Sequence, residues 1–301
     1  MRISTQQIYQ RGVDAMLEQQ SKLLKTQLQL ASNLRFLSPA DDPVAAAQVL
    51  GLSESISITE QYRSNSAAAT ARLNIEESTL GGVANALQRA RELAVRGNND
   101  TMSAQERNAL ALELRQIIDE VQSLANTKDS SGEYIFGGYQ SLTAPFSNNG
   151  SGTFTYAGDQ GQRQLQISPT RQVAVSDSGL DVFMKIDNAA GTGYQDVFTT
   201  LYTLATDLEA NAPNSSSITE IDNALDNMLG TQARIGARLN TIDREEQVNS
   251  AYSLQLETSR SSIRDLDVAQ AATDLSRQSA VLEAAQLSFI RIQGLSLFNY
   301  L

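Results

Sequence analysis

The side chains best placed to do chemistry in this sequence are carboxylates. Asp41 and Asp42 stand together between Pro39 and Pro43, and Asp159, Asp177, Asp181 and Asp187 gather in a later stretch rich in Gly and Asn. Neighbouring carboxylates can work as general acid and base, and a cluster of them can hold Ca²⁺. The spacing points elsewhere in both places. Asp42 directly before Pro43 has the form of a helix N-cap followed by proline at the first helical position. The four later Asp fit no EF-hand loop, and the expectation there is turn-forming Asp. Ser130-Ser131-Gly132 and Gly191-Thr192-Gly193 are glycine loops without the Lys and following helix that cradle a phosphate. The sequence therefore predicts no catalytic, cofactor-binding or metal-binding residue.

Composition narrows the chemistry further. The 301 residues contain no His, no Cys and no Trp. Without imidazole the common triads and His-ligated metal sites are absent, and without thiol there is no disulfide, thiolate nucleophile or Cys-based zinc site. A net charge of −11 opposes nucleic-acid binding, which calls for a basic face. No run approaches the roughly 18 apolar residues that read as a membrane span. Residues Met1 to Gln7 lack the apolar stretch of a cleavable secretory signal, so a protein of this kind would leave the cell by another route. The missing Cys is compatible with an extracellular or a cytosolic life.

What positions these residues is mostly helix. Periodicity predicts a first helix over 12–37, stopped by Ser38-Pro39-Ala40-Asp41-Asp42-Pro43, where each proline restrains its predecessor. A second helix starts at Pro43 and runs to about Arg96 with Leu73, Leu80, Val83, Leu87, Ala90 and Ala94 on one seam. At about 1.5 Å per residue it would span roughly 80 Å, with a bend expected at Gly81-Gly82. Ser103 with Glu106 is a capping box that opens a third helix carrying Leu110, Leu114, Ile117, Val121 and Leu124. From Tyr134 the period shortens. Thr153–Tyr156, Gln164–Ile167 and Gln172–Val175 read as strands between turn signals, and 137–196 as a small β-rich insert, of which 140–192 is expected to be removable as a module. Helical spacing resumes at Phe198, Leu201, Leu204 and Leu208. After a loop at 211–215 it continues through Ile221, Leu225, Met228, Ile235, Leu239 and Ile242, with little interruption, to Leu301.

The strongest heptads lie at the two ends. Val13, Met16, Leu23, Leu30 and Leu34 fall on a series of alternating three- and four-residue steps whose polar slots are Gln20 and Gln27. Val268, Leu275, Leu282, Phe289 and Ile292 fall on a second, whose remaining members are Ala271, Gln278 and Ala285. Leu295 and Phe298 extend the second series into an apolar tip with no charge after Arg291. Such seams suit coiled-coil packing, and they need a dry partner: each other, further copies, or a chaperone. We expect these twelve residues to form subunit interfaces. The predicted fold class is mainly α with a β-rich insert: a long antiparallel helical bundle, its terminal helices paired at one pole and a small β domain at the other. The expected division is a terminal assembly domain (1–43 and 258–301), a helical rod (44–136 and 197–257) and the outer insert (137–196).

This layout resembles the flagellin superfamily, and within it the subunits that join flagellar hook to filament. The proline-flanked acidic turn at 38–43 carries the likeness; flagellins themselves usually lack the second proline. Glu92-Leu93-Ala94-Val95-Arg96-Gly97-Asn98-Asn99-Asp100-Thr101, Leu124-Ala125-Asn126-Thr127 and Gly132-Glu133-Tyr134-Ile135-Phe136-Gly137-Gly138 are similar to the family's motifs. So are Tyr156-Ala157-Gly158-Asp159, Gly179-Leu180-Asp181-Val182-Phe183 and Arg234-Ile235-Gly236-Ala237-Arg238-Leu239-Asn240. Together they cover nearly the whole chain. The resemblance implies a non-enzymatic structural subunit of the hook–filament junction, exported unfolded through the flagellar type III channel and placed outside the cell. It implies, as partners, identical subunits in a ring, the other junction protein on the hook side and flagellin on the filament side. An export chaperone would hold the C-terminal region, and neither nucleic acid nor membrane is a partner. Flagellin itself, or a secreted coiled-coil adaptor or effector, is the alternative.

Overall fold

The computed structural model describes residues 2–294. Two compact units emerge: a terminal unit of Met1–Ile58 with Tyr252–Leu301, and a central unit of Thr59–Ala251. Six helices run as α1 (Arg2–Ser32), α2 (Pro43–Gly97), α3 (Ala104–Ala125), α4 (Val197–Glu209), α5 (Ser216–Arg264) and α6 (Val268–Gly294). The fold is mainly helical with a small β region, as the periodicity predicts.

The central unit grows from the seams read in the sequence. Leu73, Leu80, Val83, Leu87, Ala90 and Ala94 of α2 are all buried, with Leu110, Leu114, Ile117 and Val121 of α3 and Phe198, Leu201, Leu204 and Leu208 of α4. α2 and α3 are antiparallel: Arg89 pairs with Glu113 at one level and Gly82 lies against Leu124 at another. The capping box at Ser103 and Glu106 forms as predicted, each side chain serving the other's backbone N–H. α2 remains continuous helix through Gly81-Gly82.

Between α3 and α4 the chain builds three two-stranded antiparallel hairpins. Their pairs are β1 (Phe146–Asn148) with β2 (Phe154–Tyr156), β3 (Gln164–Ser168) with β4 (Arg171–Ala174), and β5 (Ile186–Asp187) with β6 (Tyr194–Gln195). A π-helical turn at Leu180–Met184 separates the second hairpin from the third. The sequence expectation of a removable module meets a different arrangement. Phe146, Phe154, Val175, Val182 and Phe183 share one apolar cluster with α2, α3, α4 and α5. Phe198 of α4 has Phe146, Phe154 and Phe183 around it at ring-centroid distances of 5.3, 5.1 and 6.0 Å. Two-stranded hairpins are marginal alone, and here they gain stability by burying one face against the helices.

Three helix ends differ from the sequence expectation, the first being the start of α1 at Arg2 and not at 12. α1 stops at Ser32, not 37, because Asn33 takes φ +57°, the left-handed geometry common just past a helix. The last long helix breaks at Asp265-Leu266-Asp267. There Arg35 N–H donates to the Arg264 carbonyl (2.8 Å) and Leu266 N–H to the Asn33 carbonyl (3.2 Å). Each break supplies the partners the other has lost. Asp267 then caps α6, its Oδ1 accepting Gln270 N–H at 3.0 Å.

Candidate assembly interface

In the terminal unit α1 and α6 lie antiparallel along one seam. At its open end Tyr9 meets Phe289 edge to face, with centroids 5.7 Å apart and planes at 90°. Gly12 permits this approach, since a Cβ there would stand 3.3 Å from Phe289 Cδ2. An open groove of about 360 Å³ runs beside it, lined by Gly12, Ala15, Met16, Gln19, Val281, Ala285, Ser288 and Phe289. Midway, Thr26 Oγ1 bonds Gln278 Oε1 (3.0 Å), and Gln19 Nε2 donates to the Gln278 carbonyl (3.4 Å). At the closed end Leu34 and Asp265 form an isolated antiparallel bridge.

The predicted interface residues are distributed unevenly about this seam. Met16, Leu23, Leu30 and Leu34 on the first segment, and Leu275, Leu282 and Phe289 on α6, are half-buried. The structure thus brings Met16 and Phe289 to one groove within a single chain. Val13 and Val268 are exposed. Ile292 lies on α6, and its side chain is outside the described set; Leu295 and Phe298 lie outside the described residues. A second set of apolar side chains escaped the sequence reading. Leu17 is 58% exposed, Leu24 56% and Leu28 50%, and with Val13 they follow steps of four, seven and four along α1. On α6 Leu287 and Ile290 stand open in the same way. Another depression of about 360 Å³ on α1 is lined by Leu17, Leu23 and Leu24. The second stripe was legible in the sequence as i, i+4, i+11 spacing, but it flanks the stronger heptad and was absorbed by it.

The acidic turn is a structural joint. Asp41 Oδ2 accepts the N–H groups of Leu37 (3.0 Å) and Ser38 (3.1 Å), while its Oδ1 meets Lys25 Nζ at 2.6 Å. The bond to Lys25, then those two backbone donors, hold the Asp41 carboxyl below its usual range. Asp42 Oδ1 accepts Ala45 N–H at 3.0 Å, which is the N-cap bond expected ahead of Pro43. Among the insert's Asp residues, Asp159 closes a turn through Tyr139 N–H and Gly161 N–H. Asp177 departs from expectation, because it is buried and doubly bonded to Arg238 of α5 at 2.8 Å. Among the described residues no group of carboxylates is arranged to hold a metal ion, and no helix is long and apolar enough to cross a membrane.

Residues 3–141 match the model of the bacterial flagellin N-terminal helical region. Over 99% of both chains the sequence is 30% identical to the flagellar hook-associated protein 3 of Escherichia coli, and equally to that of Salmonella typhimurium. The chain belongs to the flagellar hook-associated protein 3 family. A solved structure of a putative flagellar hook-associated protein from Vibrio parahaemolyticus superposes with a TM-score of 0.67 at 25% identity, covering 75% of this chain and all of that one. A hook-associated protein 3 is a structural component of the bacterial flagellum and not an enzyme. In this chain the carboxylates described above are joints, caps and an internal ion pair, and the surface that remains to be explained is the exposed apolar stripe.

Proposed function

We propose that this chain is a subunit of the hook–filament junction, exported unfolded by the flagellar type III route and assembled outside the cell through α1 and α6. The observation that carries this reading is the double character of those helices. One face of each closes the α1–α6 seam inside the chain, while Leu17, Leu24 and Leu28 of α1 and Leu287 and Ile290 of α6 are left open. Contiguous exposed apolar surface on a helix is a binding face in search of a partner. In this reading identical subunits in a ring take that face, with the other junction protein on the hook side and flagellin on the filament side. A chaperone covers the C-terminal region before export. The assembly domain is 1–43 with 258–301, the rod 44–136 with 197–257, and 137–196 the outer insert.

The test pairs an outward with an inward substitution in cells lacking their own copy. The double variant Leu24→Asp and Ile290→Asp should be secreted yet leave cells without filaments, while the melting of the purified monomer stays within about 0.5 kcal/mol of the parent. Phe289→Ala, on the inner seam, should instead loosen the terminal unit of the monomer. Normal filaments with the double variant would sink the proposal that this stripe is the assembly face.

A further inference from the structure

The central unit holds one acidic side chain that neither fold nor assembly explains. Glu76 sits on α2, 1% exposed, at the point where α2, α5 and the strap of residues 176–179 meet. Its Oε1 accepts the Asp177 N–H at 3.1 Å. Its Oε2 is buried and has no hydrogen-bond partner among the described residues. Asp177, next to it, spends both carboxylate oxygens on Arg238 and takes a further bond from Gln162 Nε2. The Arg238 guanidinium is thus bonded by Asp177 alone, and Glu76 feels only its charge. Arg72, one turn before Glu76 on α2, is engaged by Asp129 at 2.7 Å and Glu133 at 3.4 Å.

We infer that Glu76 is a neutral carboxylic acid in the native fold, and that its proton latches the 176–179 strap of the insert onto α2 and α5. An ionised Glu76 would place a second negative charge against Asp177 and leave one charged oxygen buried without a donor, which costs far more than burying the protonated group. Burial first, and the Asp177 charge second, push its pKa up to about 8, against a weaker pull from the Asp177 N–H, Arg238 and Arg72. The raised value fixes the sign. The native state keeps a proton that the unfolded chain gives up near its ordinary pKa of 4.5. The stabilisation is complete below that value, declines by about tenfold in the folding equilibrium per pH unit, and is gone above about pH 8. The strap opens first, because Asp177 N–H is its bond to α2 and Gly179 N–H anchors it to Phe136 O only further along. The chain has no His, so no side chain at its ordinary pKa changes charge between pH 5 and 8. Burial also raises Glu220 and Asp207, which lie away from the strap on α5 and α4.

The experiment uses the full-length protein. A protonated-carboxyl band in the infrared spectrum at neutral pH, lost in Glu76→Gln, is the direct signature. Amide exchange of the strap, corrected for intrinsic rate, should rise at least tenfold between pH 6 and 9 in the parent and stay flat in Glu76→Gln, whose amide mimics the neutral acid. Glu220→Gln should keep the parent's pH response. Absence of the infrared band in the parent, or an equal pH response in Glu76→Gln, would overturn the inference. Should Glu76→Gln fail to fold, a ¹³C titration of the Glu carboxyls in the Glu220→Gln variant decides: a midpoint well above the ordinary carboxylate range supports the latch, and its absence refutes it.

Discussion

Arg107 is the residue whose removal tests the packing argument most sharply. It lies in the first turn of α3, where a cation opposes the helix dipole, and it is 5% exposed. Its position makes sense only against the neighbouring helix. Nε donates to the Gly97 carbonyl at the end of α2 (3.0 Å), Nη2 to the Asn99 carbonyl (2.9 Å) and Nη1 to Asn211 Oδ1 beyond α4 (2.5 Å). One guanidinium thus caps the C-terminus of α2 and ties the α2–α3 turn to the loop after α4. Arg107→Met keeps most of the stem's packing and removes all three bonds. Charge-assisted bonds are worth about 1.5–3 kcal/mol each, but Asn99 and Asn211 are exposed and rehydrate, and the cost of burying the guanidinium is returned. The buried Gly97 carbonyl is the lasting loss. The net effect should be about 2–4 kcal/mol, or roughly 5–15 °C in the melting of a domain this size, read by calorimetry on the central-unit transition. Arg107→Lys should recover less than half, since a point charge cannot serve three acceptors in a fork. A loss under about 1 kcal/mol for Met, or full recovery by Lys, would refute the three-way tie.

Two further outcomes follow from the insert. Phe198→Ala should cost about 3–5 kcal/mol in denaturant unfolding and destabilise α4 together with the β1–β2 hairpin and the π-helical turn that meet its ring, because the cavity opens at their shared centre. Gly138→Ala should destabilise far more than Gly150→Ala in the same assay. Both glycines have positive φ, +66° and +81°, but a Cβ at Gly138 would run into Asp159 whereas Gly150 faces open space, so the latter pays only the backbone strain of about 1–2 kcal/mol.

Much of this protein is written in local pattern. Leu73 to Ala94, Leu110 to Val121 and Phe198 to Leu208 announce their buried faces by spacing alone, because a helix turns every 3.6 residues whatever it packs against. Ser103 with Glu106 and Asp42 with Pro43 fix helix starts by bonds that span three residues. The left-handed Asn33 and the Asp267 cap were legible by the same rules; the heptads running through them hid the signal. What depended on distant partners was decided only in the folded chain. Nothing near Asp177 foretells Arg238, 61 residues away, and nothing in α2 marks Glu76 as the acid that loses its water. The choice between an inner seam and an outer stripe on α1 is of the same kind. Periodicity shows that a helix has apolar faces; only the arrival of α6 determines which of them is already covered.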